Sequence, residues 1–149
     1  MAKNRNEVSE NLKWRLTDIF KDGEEFENLL SDVTKRADLS HYEGKLSDKK
    51  VLLKCLKEMD SIDADLEKLD VYAYMKKDLD ARDSSSTALL TRVENVLIQY
   101  SSSLAFMTPE ITALPEEELK AIIADPDFSD YDYMLSCLLK EKPHVLSKE

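Results

Sequence analysis

VLLKCLKEMDSIDADLEKLDVYAYMKKDL, residues 51–79, decides the fold. Its apolar positions, Leu52, Leu56, Met59, Ile62, Leu66, Leu69, Tyr72, Met75 and Leu79, follow one another at steps of three or four. That spacing stacks side chains on one face of an α-helix and scatters them over both faces of a strand. No glycine or proline interrupts the run. A helix of about thirty residues, roughly 45 Å long at 1.5 Å per residue, is predicted. Ser47 is placed to cap its start.

Outward from this helix the same period recurs. Residues 80–86 form a polar break, with a cap expected at Asp83 or Ser84 and the turn held in water. Leu89, Val93, Val96, Tyr100, Leu104 and Met107 then predict a second long helix, which returns against the first as an antiparallel hairpin. On the N-terminal side, Phe26, Leu29, Leu30, Val33 and Ala37 predict a helix over 24–37, with acids in its first turn, where the helix dipole favours them. Trp14, Leu16, Ile19 and Phe20 form an apolar cluster expected to lie across a core, and residues 39–47 read as a connector. Beyond the hairpin, Thr108-Pro109 is expected to end the second long helix. A short helix begins at Pro115 and stops at Pro126, and a last one spans about 129–140. The fold class is all-α, a helical bundle around the long hairpin. Residues 1–149 read as one domain, with flexible ends at 1–10 and 143–149.

Composition agrees and excludes several functions. A chain of 149 residues buries a core without staples, since folding at this size hides roughly 70% of the unfolded surface. Two glycines, Gly23 and Gly44, are too few for a phosphate cradle, and no GxSxG, P-loop or GxGxxG is present. The net charge of -10, spread along the chain, opposes phosphate backbones and anionic bilayers, so neither nucleic acid nor membrane is expected as a partner. Cys55 and Cys137 stand apart with no CxxC, and residues 1–10 carry no apolar signal-like run, so a reducing cytoplasm is expected.

Catalytic constellations are wanting. A zinc peptidase of the HExxH type sets two imidazoles one helical turn apart with a general-base Glu. Here the histidines are His41 and His144, each without such a neighbour. Asp125, Asp127, Ser129 and Asp130 resemble a calcium loop only superficially, because the central glycine position holds Asp130 and the twelfth position Ser136. Asp78, Asp80 and Asp83 cluster around Arg82, which favours a salt-bridged corner over a divalent site. No metal or catalytic residue is assigned, and the chain alone is predicted inactive. Tyr72, Tyr74 and Tyr100 on the hairpin read as packing residues or as a groove for a peptide or partner.

Four stretches carry a resemblance. They are Trp14-Arg15-Leu16-Thr17-Asp18-Ile19-Phe20, Val71 to Asp78 continuing through Asp80-Ala81-Arg82-Asp83, Phe106-Met107-Thr108-Pro109-Glu110-Ile111, and Lys142-Pro143-His144-Val145-Leu146-Ser147. In this order they resemble the beginning of oligoendopeptidase F, of the thimet-type zinc metallopeptidases. The resemblance implies a longer cytoplasmic parent that continues beyond residue 149. Its HExxH zinc domain would lie C-terminal to this chain and be absent from it. That parent would cleave short peptides in a deep channel, with zinc as its cofactor and with this chain as one wall. The implied partners are the catalytic C-terminal portion of the same polypeptide and short peptides, with self-association through an exposed interface also expected. Tyr72, Tyr74 and Arg82, in the most family-like stretch, are the channel-facing candidates. The alternative is a free-standing helical module that binds a peptide or protein.

Overall fold

The computed structural model describes residues 7–80 and 82–144, and every regular element among them is helical. Six α-helices follow in order: α1 Gly23–Arg36, α2 Lys49–Leu79, α3 Ser84–Ser103, α4 Met107–Ala113, α5 Glu116–Ile123 and α6 Asp132–Glu141. Short 3₁₀ turns stand at Glu10–Leu12, Leu16–Asp18, Ser40–Tyr42, Pro126–Phe128 and Lys142–His144. The all-α expectation is met. The flexible ends expected at 1–10 and 143–149 lie mostly outside the described residues.

The chain divides into two compact units. One comprises residues 1–37 and 62–99, the other 38–61 and 100–149, so the division falls inside α2 and again inside α3. Within the first unit, α1 is started by Asp22, whose carboxylate accepts from the Glu25 backbone N–H at 2.9 Å, while Glu25 accepts from the Lys21 N–H at 2.7 Å. The first bond satisfies a donor that the helix start leaves open, and the second ties the residue before the cap to the first turn. Phe26, Leu30 and Val33 of α1 are buried, as are Ile62, Leu66, Leu69, Tyr72 and Ala73 of α2 and Leu90, Val93 and Val96 of α3. Arg36 at the end of α1 bonds Asp65 near the start of this part of α2, while Glu25 at the beginning of α1 reaches Lys68. Helices α1 and α2 therefore run antiparallel. From the Leu16–Asp18 turn the chain delivers Phe20, 1% exposed, against Phe26 and Tyr72, whereas Trp14 is 53% exposed. Only the end of the predicted N-terminal cluster enters the core.

In the second unit the start of α2 is capped by Asp48, not Ser47. Asp48 Oδ1 accepts from the N–H groups of Lys50 (2.8 Å) and Val51 (3.3 Å). The segment read as a connector contributes core: Leu39, Tyr42 and Leu46 are buried. It is fastened to α4 by Glu110, whose carboxylate accepts from the backbone N–H of Gly44 and, at 3.3 Å, of Leu46. Gly44 has φ of 76°, the left-handed region a side chain would strain. Pro109 does not end α3. That helix stops at Ser103, and Pro109 sits in the first turn of α4, where a missing N–H costs nothing. Lys142 closes the far end of α4, its ammonium donating to the carbonyls of Thr112 (2.5 Å) and Leu114 (2.6 Å). Two tyrosines donate to carboxylates of α2, Tyr42 to Glu58 at 2.6 Å and Tyr131 to Asp60 at 2.5 Å, and burial holds both phenols well above their usual range.

The two long helices meet in each unit. In the second, the Tyr100 hydroxyl near the end of α3 donates to the Met59 carbonyl at 3.3 Å. In the first, Asp70, further along α2, feels the charge of Glu94, earlier on α3. Asp70 carries a defect: its Oδ1 is buried with no hydrogen-bond partner among the described residues. Burial, and then Glu94, raise its carboxyl above the ordinary 3.8. A raised folded-state value means that ionised Asp70 costs stability at neutral pH, and that the cost fades as pH falls through the folded-state value. Asp70→Asn, which removes the charge and keeps the shape, is expected to stabilise the fold by about 1 kcal/mol at pH 7. In urea titrations the gain should shrink as pH falls toward the ordinary carboxyl value of 3.8; an equal gain at every pH would refute this origin.

Candidate functional site

The three channel-facing candidates all belong to the first unit but do not share a face. Tyr72 and Tyr74 are two residues apart on α2, about 200° around the axis at 100° per residue. Tyr72 points inward, 7% exposed, its ring edge-on to Phe20 at 5.1 Å and tilted against Phe26 at 5.2 Å. Tyr74 points outward, 45% exposed, with the Lys77 ammonium 5.9 Å from its ring centre. Arg82 lies beyond the helix end, its side chain 86% exposed and its Nε 3.1 Å from Asp80 Oδ1.

Beside Arg82 the chain turns into α3 through Asp83. One carboxylate oxygen accepts from the Ser85 N–H at 2.9 Å, and the other accepts from the Ser86 hydroxyl at 2.6 Å. These bonds, that of Ser86 foremost, pull the Asp83 carboxyl down to about 2. The cap thus holds at neutral pH and is lost as pH falls from the unfolded value of 3.8 toward 2. Asp83 is engaged in ending the turn, and of the three candidates Tyr74 and Arg82 face outward.

A second feature lies on the same unit. A groove with a volume of about 480 Å³ runs between α1 and α3, floored by Leu30 and Val96 and flanked by polar side chains. At one end Glu27 and Arg92 form a two-pronged pair at 2.7 and 2.6 Å, and that hydrogen bonding holds the Glu27 carboxyl below its usual value. Sequence reading missed this groove, because its polar lining comes from helix positions whose residue types also make ordinary solvated faces.

The described residues do not fit a zinc site. His41 is exposed, its Nδ1 3.1 Å from the Asp38 carbonyl oxygen, and no group of three His, Cys, Asp or Glu able to hold a metal occurs among the described residues. Cys55 is buried and burial pushes its thiol up to about 11, so the nucleophilic thiolate is suppressed. Among the described residues no helix is long and apolar enough to cross a membrane.

Known proteins resemble this chain along its whole length. It is 34% identical over 153 residues to the chromosomal oligoendopeptidase F of Lactococcus lactis subsp. cremoris, covering 99% of this chain and 25% of that protein. The likeness is to the N-terminal region of oligoendopeptidase F. Oligopeptidase PepF of Bacillus subtilis is 32% identical over 148 residues, 97% of this chain and 22% of its own length. The Oligopeptidase F family model matches residues 110–149. The same helical fold occurs in a crystal structure of a protein from Chlamydophila abortus, with a TM-score of 0.87, 20% identity, and coverage of 99% of this chain and 25% of that one. This chain thus spans about a quarter of the length of the relatives it matches.

Proposed function

We propose that this chain is the non-catalytic N-terminal domain of a cytoplasmic zinc endopeptidase that cleaves short peptides, and that it forms part of the wall of the substrate channel. The observation that carries the reading is the end-to-end match to oligoendopeptidases at only a quarter of their length. In this reading the chemistry lies in the remaining polypeptide, which is the principal partner of this chain, and no zinc site is formed among the described residues. Zinc belongs to that portion.

Long helices suit a wall, because one face is committed to a core and the other stays available to a channel. In this proposal residues 1–149 act as one domain. Tyr74 and Arg82 meet the peptide, while Tyr72 supports them from beneath by fixing α2 against Phe20 and Phe26. The chain separated from its partner portion is expected to self-associate at high concentration, which light scattering reads.

The test is kinetic. In the long polypeptide, Tyr74→Ala combined with Arg82→Ala is expected to raise KM for a short fluorogenic peptide about fivefold with kcat unchanged, the signature of lost binding alone. An unchanged KM would remove both residues from the channel face.

A further inference from the structure

We propose that the groove between α1 and α3 binds the C-terminal end of an extended peptide about four residues long, with its carboxylate at Lys35. The choice of a peptide rests on the channel-wall reading; the location and orientation rest on the groove itself. Glu27 faces Arg92 at one end, and the groove runs on to Lys35 of α1 and Gln99 of α3, so α1 and α3 are parallel along it. Eight residues of helix separate Glu27 from Lys35, roughly 12 Å. An extended peptide covers that length with about four residues at ~3.3 Å each.

The lining matches such an occupant. Leu30 and Val96, 4% and 7% exposed, give an apolar floor for alternate side chains. Asn95 and Gln99 along one wall each offer an amide donor and an amide acceptor, the complement of a peptide group. Glu27 and Arg92 neutralise each other and close one end. At the other end Lys35 has no ion-pair partner among the described residues, so the groove carries a net positive charge on a chain of net charge -10. A peptide carboxylate is the terminal group that this charge selects. The carbonyl end of α1 opposes part of the attraction, which keeps the selection modest.

The test is a nuclear magnetic resonance titration of the isotope-labelled 149-residue chain with acetyl-tetraalanine, as the free acid and as the C-terminal amide. Backbone amides of residues 31–35 and 95–99 should shift together with the acid. The amide should bind about threefold more weakly, and Lys35→Gln, at an exposed position, should abolish the difference between the two peptides. No shift in these segments at any concentration, or equal binding of both peptides, would overturn the proposal. Shifts confined to the surroundings of Tyr74 and Arg82 would overturn it while leaving the channel-wall reading in place. Groove binding in a chain whose long form cleaves no peptide would do the reverse.

Discussion

Phe26→Ala is expected to destabilise the chain by about 3–5 kcal/mol, the cost of removing a fully buried aromatic ring. Phe26 is 1% exposed and stands at the junction of three segments: the N-terminal turn through Phe20 at 5.3 Å, α1 itself, and α2 through Tyr72 at 5.2 Å. Truncation leaves a cavity bounded by two rings held by other elements, so collapse recovers little of it. Domains of this size commonly have only about 5–15 kcal/mol in total. The midpoint of thermal unfolding should drop by about 10 °C or more. Phe26→Leu, which keeps most of the volume, should cost about 1 kcal/mol. Similar losses for both variants would mean that the three rings do not form a shared core.

The second large effect concerns the continuity of α2. Asp63→Pro removes one helix N–H and places a ring against the carbonyl four residues earlier, at a cost of about 3 kcal/mol. The position is exposed, so no packing is lost with the side chain. Asp63→Ala should therefore stay within about 0.5 kcal/mol of the parent. Position 63 lies next to the division between the two compact units, where α2 continues without a break from Lys49 to Leu79. A proline variant with unchanged circular dichroism and urea midpoint would show that the helix is already interrupted there.

The helices were legible wherever apolar residues recur at helical spacing over several turns. Leu52, Leu56, Ile62, Leu66, Leu69 and Tyr72 form one stripe in the sequence and are all buried. Short segments were less legible. Leu39, Tyr42 and Leu46 also follow at steps of three and four, but they flank Gly44 and a single 3₁₀ turn, too short for periodicity to separate core from connector. Proline breaks helix interiors, so in the sequence Pro109 reads as a stop, and only its place in the first turn of α4 makes it compatible with a helix there. The same holds for Ser47 and Asp48, since both residue types cap helices and only geometry selects Asp48.

Site residues were harder to read than the fold. Tyr72 and Tyr74 have the same side chain in the same stretch, and only the rotation of α2 buries one and exposes the other. The groove along α1 and α3 left no local signature. Its floor residues, Leu30 and Val96, are 66 positions apart and look like any core pair.

The most direct measurement of the central claim is a chelator-controlled peptidase assay on the purified 149-residue chain, paired with metal analysis after dialysis. A folded helical protein that leaves short peptides intact and retains no zinc is the predicted result. One tightly held transition metal per molecule, required for turnover by this chain alone, would contradict it.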